Sequence, residues 1–231
     1  MKTIGLLGGM TWESTLEYYR IINEEVKARL GGFHSAKCLL YSVDFAQIER
    51  LQRLDAWAEL TGLMVDAAST LKQAGADFLV ICTNTLHRTA AAIEEQSGLP
   101  VLHIARATGD AIVRQGLRKV GLLGTKYTMQ GGFLQGILAD EYGVEVLLPT
   151  ETEMETVHRV IFDELCHGVI RTESKAKYVR IIGELAGRGA QGVILGCTEI
   201  PLLIKPEDVG IPVFNTTYLH AAAAVDAALA D

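Results

Sequence analysis

The chain has 231 residues, of which 49% are hydrophobic, 21% charged and 6% aromatic, with a formal net charge of −7. The acidic balance and the lack of a basic patch exclude a nucleic-acid role, and no apolar run reaches the roughly 18 residues of a membrane helix. Cys38, Cys82, Cys166 and Cys197 are scattered and form no CxxC pair, which excludes the usual zinc and dithiol motifs.

The apolar residues are mostly Ala, Val, Ile and Leu, as in α/β proteins with buried parallel strands, and they suffice for one large domain or two small ones. The opening Met1-Lys2-Thr3-Ile4-Gly5-Leu6-Leu7 lacks the length and flanks of a signal peptide. A soluble, cytoplasmic protein with free thiols is therefore expected.

In chain order, Ile4–Leu7 predicts the first strand. Ser14-Thr15-Leu16-Glu17 reads as a capping box opening a helix that carries Leu16, Tyr19, Ile22, Val26 and Leu30 near one face and stops at Gly31-Gly32. Cys38–Val43 predicts a strand, residues 56–72 a helix, and Phe78–Cys82 a second buried strand. Val120–Leu123 follows as a strand. Thr152-Glu153-Met154-Glu155 is a second capping box, opening a helix with Val157, Ile161 and Leu165 that closes at Gly168. Val193–Leu195 is the last clear strand. Strands alternating with helices give parallel sheets, with ligands beyond the carboxyl ends of the strands.

The chain also repeats itself. Ile4-Gly5-Leu6-Leu7-Gly8 resembles Val120-Gly121-Leu122-Leu123-Gly124. The stretch from Gly75 to Thr83 resembles that from Gly189 to Cys197, and Leu99-Pro100-Val101-Leu102 resembles Ile211-Pro212-Val213-Phe214. Order is kept and the offset drifts only from 116 to 112 residues, so an internal duplication is the better reading. The predicted fold is α/β: two pseudo-symmetric Rossmann-like lobes over 1–116 and 117–231, each a mostly parallel sheet flanked by helices, with the active site in a cleft between them. The C-terminal helix has room to pack back on the first lobe.

The duplication directs attention to Thr83 and Cys197, which match each other at the ends of two buried strands. Facing one another, they would suit proton transfer at a stereocentre, one group working on each side of the carbon. Small polar residues past the strands offer backbone N–H groups to carboxylates: Gly9 and Met10, Asn84 and Thr85, Thr125 and Thr128, Thr198 and Glu199. Leu6-Leu7-Gly8-Gly9-Met10 is not GxGxxG, so dinucleotide binding is disfavoured.

The Thr-Asn-Thr of 83–85, the Gly-Cys-Thr-Glu of 196–199 and the Leu-Gly-Gly-Met of 7–10 resemble the aspartate/glutamate racemase family. The resemblance covers essentially the whole chain. It implies racemisation without pyridoxal phosphate, any other cofactor or a metal, two cysteines flanking the substrate Cα, an acidic amino acid as substrate, and a homodimer. Glu199 stands where glutamate racemases resembling this chain carry His, as in aspartate-type members. Thr83 stands where the family usually has its first cysteine, as in a subgroup described as L-aspartate/glutamate-specific or broad-specificity. Threonine is a poor base at neutral pH, whereas a cysteine thiolate forms near pH 8.5. This implies an asymmetric scheme in which Cys197 abstracts a proton and Thr83 relays or donates one.

Other residues have two readings. Cys82 neighbours Thr83 on the opposite strand face and reads as a buried structural thiol rather than a second catalytic one. His87, His103 and His220 tempt as bases, but His87 lies in the predicted α-helix after Thr83, where helix packing is the simpler role. Glu199 either orients a neighbour, binds the substrate amine or stabilises a helix terminus. His167 and Gln52 lie in regions where the family tends to contact substrate, with a helix terminus and a solvated helix face as the plain alternatives. Two other functions stay open: a single-thiol decarboxylase or isomerase acting on a dicarboxylate, and a binding protein for an acidic metabolite.

Overall fold

The computed structural model describes residues 1–230, which divide into two compact units, 1–103 with 220–230 and 104–219. The first unit contains β1 (Ile4–Gly8), α1 (Trp12–Leu30), β2 (Cys38–Ser42), α2 (Phe45–Arg53), α3 (Trp57–Gln73), β3 (Phe78–Ile81) and α4 (Ala90–Ser97). The second contains α5 (Ile104–Arg114), β4 (Lys119–Gly124), α6 (Lys126–Met129), α7 (Phe133–Tyr142), β5 (Glu145–Leu147), α8 (Glu151–Asp163), α9 (Thr172–Gly187), β6 (Val193–Gly196), α10 (Ile200–Leu203) and β7 (Val213–Asn215). The last helix, α11 (Thr216–Leu229), starts in the second unit and from His220 onward belongs to the first.

Both sheets are wholly parallel, ordered β2-β1-β3 and β5-β4-β6-β7. The duplication is written in their register. Gly5 pairs with Leu79, and their counterparts Gly121 and Val193 also pair. Val101 bridges Leu79 in parallel, just as Val213 pairs with Val193 in β7. The third repeated segment therefore adds the next strand of each sheet, though in the first unit it shrinks to one bridge.

In the first unit alternate strand residues point to opposite faces. Ile4, Leu6, Phe78, Val80 and Cys82 pack with Tyr18, Ile22 and Val26 of α1 and with Ala221, Ala224 and Val225 of α11. Leu7, Leu79 and Ile81 pack on the other side with α2, α3 and α4 through Ile48, Leu51, Met64, Leu71 and Ile93. The second unit has one core, built around Val120, Leu122, Ile194 and Leu195 with Val157, Ile161, Tyr178 and Leu185.

The structure corrects several sequence expectations. The first helix begins at Trp12 with Thr11 as its cap, because the Thr11 hydroxyl accepts the Ser14 N–H; the expected box at Ser14 lies inside the helix. Its buried face runs through Ser14, Tyr18, Ile21, Ile22 and Val26, so Leu16, Tyr19 and Leu30 are exposed. The second capping box is Thr150 with Glu153, two residues earlier than expected, and the helix it opens ends at Asp163. A separate 3-10 turn, Leu165–His167, then closes at Gly168 in the left-handed conformation. The division of the chain falls before α5, whereas 116/117 was expected: Gly109 of that helix sits against Tyr142 of α7 and Arg106 pairs with Glu141.

Candidate active site

In the first unit the ends of β1 and β3 adjoin. β1 runs into Gly8-Gly9, and both glycines are dictated by space. A Cβ on Gly8 would lie 2.4 Å from the Thr15 side chain. Gly9 has φ +91, and its Cβ would stand 2.3 Å from the Val43 carbonyl oxygen. The Gly9 N–H donates to Thr15 Oγ1 at 2.8 Å, and Thr15 Oγ1 donates in turn to the Thr11 carbonyl at 3.0 Å. Ser14 Oγ ties α1 to the other strand by donating to the Cys82 carbonyl at 2.7 Å.

Past β3, Thr83 is partly buried and its N–H donates to the Ile81 carbonyl at 2.8 Å. Asn84 and Thr85 are buried and lead into a 3-10 turn, Thr85–Thr89, rather than the α-helix expected there. The Met10 side chain lies in the core shared with Ile48 and Leu51, which leaves its backbone as the group to offer a ligand. Gln52 is 6% exposed on α2, so the expected alternative of a solvated face does not hold. Cys82 is wholly buried among Ile4, Leu6 and Val80, and burial pushes its thiol far above the ordinary range.

In the second unit the ends of β4 and β6 meet in the same way. A Cβ on Gly124 would lie 2.9 Å from the Gly196 carbonyl oxygen and 3.2 Å from Thr128 Cβ. Thr125 caps α6 by accepting the Thr128 N–H at 3.2 Å, and the two hydroxyls are also 3.2 Å apart. Thr128 has no surface exposure, so it supports Thr125.

Cys197, partly buried, follows β6 directly. Its Sγ donates to Glu199 Oε2 at 2.8 Å, and Thr198 Oγ1 donates to the same oxygen at 2.7 Å. Burial first, then the Glu199 charge, hold the Cys197 thiol well above its usual range; the Glu199 N–H acts weakly the other way. At rest this sulfur carries its proton. The helix after it, α10, is a single turn with Pro201 near its start, so it carries only a slight dipole. His167 is exposed at the end of a turn that packs on α10.

Gly9, Met10, Gln52, Thr83, Asn84 and Thr85 thus belong to the first unit, and Thr125, Thr128, His167, Cys197, Thr198 and Glu199 to the second. Sequence reasoning missed the Thr11, Ser14 and Thr15 network, which a cap read at Thr11 would have shown, and the contact of His87 Nδ1 with the Thr83 carbonyl at 2.8 Å. Among the described residues no three His, Cys, Asp or Glu are grouped to hold a metal, and no helix is long and apolar enough to cross a membrane.

A family model described as Asp/Glu/Hydantoin racemase matches residues 7–224. The chain belongs to the Asp/Glu/Hydantoin racemase family. It is similar to a crystal structure from Yersinia pestis provisionally described as an Asp/Glu racemase, with 53% identity and a TM-score of 0.94 over 100% of both chains. It is also similar to an aspartate racemase homologue from Pyrococcus horikoshii, with 36% identity and a TM-score of 0.85 over 99% of both. Glutamate racemase from Pseudomonas paraeruginosa is 27% identical over 79% of this chain and 65% of its own length, so the chain spans just under two thirds of that relative. A likeness of fold alone extends to an unliganded arylmalonate decarboxylase, with 16% identity and a TM-score of 0.51 over 100% of this chain and 95% of that one.

Proposed function

We propose that the protein racemises a small acidic amino acid, aspartate or glutamate, by removing and returning the Cα proton. The observation that carries this reading is the hydrogen bond from Cys197 Sγ to Glu199 Oε2 at a strand end whose register counterpart is Thr83. Family membership supports the reaction class, and the Asp/Glu racemase and aspartate racemase homologue above support the substrate class.

In this scheme both strand ends serve one substrate. A thiol held protonated at rest must lose its proton before it can act as a base. Glu199 Oε2 already accepts that S–H, so the proton passes to the carboxylate and the thiolate takes the Cα proton. The resulting carbanion is stabilised by backbone N–H groups near Gly9, Met10, Asn84, Thr85 and Thr198 and by the Thr125 hydroxyl, which bind the substrate carboxylates. The Thr83 hydroxyl supplies a proton to the opposite face while taking one from solvent. In the reverse direction the Cys197 thiol is the donor. Gln52 and His167 complete the carboxylate contacts.

The test is incubation with a panel of L-amino acids in D₂O, read by chiral chromatography and Cα deuterium content. Inversion with deuterium uptake on aspartate or glutamate, lost in Cys197→Ser, is expected. Binding without exchange would leave a metabolite-binding protein. Because Thr83 removes one of the two thiols, a single-thiol decarboxylase is the second reading, and carbon dioxide released from a malonate without Cα exchange on amino acids would select it.

We also propose a cytoplasmic homodimer. Trp12, Leu16 and Tyr19 of α1, exposed by 64%, 55% and 51%, form an apolar stripe that a second copy would cover. Light scattering after size exclusion reads the mass directly, and a monomer at micromolar concentration would refute it.

A further inference from the structure

Behind the end of β3 lies a buried group of rings that the proposed chemistry leaves unused: Tyr18, His87, His103 and His220, all 7% exposed or less. The His87 ring centroid is 4.8 Å from that of His103 and 5.2 Å from that of His220. The proton positions follow from the partners. His220 Nε2 lies 2.7 Å from the Leu102 carbonyl oxygen, which can only accept, so Nε2 carries the hydrogen. His220 Nδ1 is then a lone pair and accepts from the Tyr18 hydroxyl at 2.9 Å.

The same logic fixes His87. Its Nδ1 lies 2.8 Å from the Thr83 carbonyl oxygen, so Nδ1 is the donor. Nε2 is therefore a buried lone pair, and no hydrogen-bond partner faces it. A second proton on this ring would set a buried charge beside two other imidazoles; burial first, then His103 and His220, keep His87 neutral well below its ordinary range. An apolar side chain would fill this space without stranding a polar atom. What an apolar side chain would not supply is a donor for the Thr83 carbonyl, which lies beyond the last β1–β3 pair, where the sheet ladder no longer fixes the backbone.

We propose that His87 is a positioning residue: by donating its Nδ1–H to the Thr83 carbonyl it fixes the turn that aims the Thr83 hydroxyl at the substrate. The inference rests on the reading that Thr83 serves one face of the reaction. It predicts a face-selective defect, because the Cys197 side does not depend on this contact.

The experiment compares His87→Leu, which keeps bulk without a donor, with His87→Asn, whose amide N–H can stand near the place of Nδ1–H. Both enantiomers of aspartate and of glutamate are incubated in D₂O, and inversion is read separately from exchange with retention. For His87→Leu, inversion is expected to fall about tenfold or more while retentive exchange of one enantiomer stays within about twofold of wild type; His87→Asn recovers most of the inversion. An unchanged ratio of the two processes in His87→Leu, or an equal loss of both in a variant with native circular dichroism, overturns the proposal. Should His87→Leu not fold, nitrogen-15 correlation spectra of the wild type decide: a neutral Nδ1–H tautomer between about pH 5 and 8 is expected, and an Nε2–H or titrating ring refutes the contact. Thr83→Ala separates the two levels. If it leaves inversion intact, the role of Thr83 fails; if it abolishes inversion and His87→Leu does not reduce it, only the role of His87 fails.

Discussion

Replacing Glu199 by Gln removes the charge beside Cys197 while keeping an oxygen that can accept the S–H. The carboxylate oxygen is 2.8 Å from Sγ, and its charge is shared with a second, more distant oxygen. A unit charge at a mean distance of about 4 Å and an effective dielectric near 20 acts with about 4 kcal/mol, or about three pKa units. Water entering the partly buried site and the acceptor left in place reduce this, so a fall of about one to three units is expected. The thiol should still titrate above an ordinary cysteine, because burial is the larger cause of its shift and is untouched. The assay is alkylation by iodoacetamide as a function of pH, with each cysteine followed by its own peptide so that Cys38, Cys82 and Cys166 do not contribute. Catalysis moves the opposite way. Thiolate becomes easier to form, yet racemisation at neutral pH falls, because the group that takes the S–H proton is gone. A midpoint that stays or rises in Glu199→Gln, or a wild-type thiol titrating at or below about 8.5, would refute the reasoning.

Thr83→Cys supplies a second thiol, and the initial rates of inversion from the two enantiomers are expected to converge; an unchanged preference in chiral chromatography counts against the asymmetric scheme. Gly9→Ala forces a side chain into φ +91 and against the Val43 backbone, so a loss of about 2–4 kcal/mol is expected in denaturant melts, and a loss under 0.5 would contradict the fit. Acid should weaken the fold. His220 is pushed down from 6.5 to about 4 by burial, so below about pH 6.5 the unfolded chain takes up protons that the folded one refuses. Its contribution is complete above that pH and declines as pH falls toward 4, by about 3 kcal/mol, and His87 adds to it in the same direction. Denaturant midpoints that do not change between about pH 7 and 4.5 would show these rings to be protonated in the fold.

The two sheets and their equivalence were legible because strand cores repeat as apolar runs between glycines, and a glycine forced by a neighbour's backbone cannot drift. Gly124 and Gly196 are such a pair. Short edge strands were not legible: Glu145–Leu147 and Val213–Asn215 have three residues each, too few to show a period. The face of α1 was misjudged for a related reason. Ser14 and Thr15 are polar in the sequence yet buried because their hydroxyls hold the β1 and β3 ends, while Leu16 and Tyr19 lie outside. Cys197 and Thr83 could be chosen from the duplication, and the Glu199 contact, two residues from the cysteine, was within local reach. The pairing of Tyr18 with His220, 202 positions apart, follows from tertiary packing that no local pattern encodes.

The terminal helix sets an order of events at the ribosome. Residues 104–219 form an uninterrupted stretch that can acquire its core as soon as it emerges. The earlier segment must wait: until Ala221, Ala224 and Val225 are made, the core formed by Ile4, Leu6 and Tyr18 with α1 and β3 lacks its part from α11. A chain cut short after residue 219 would thus keep a complete later unit and leave a sticky amino-terminal half, so chaperone dependence should concentrate in the part synthesised first.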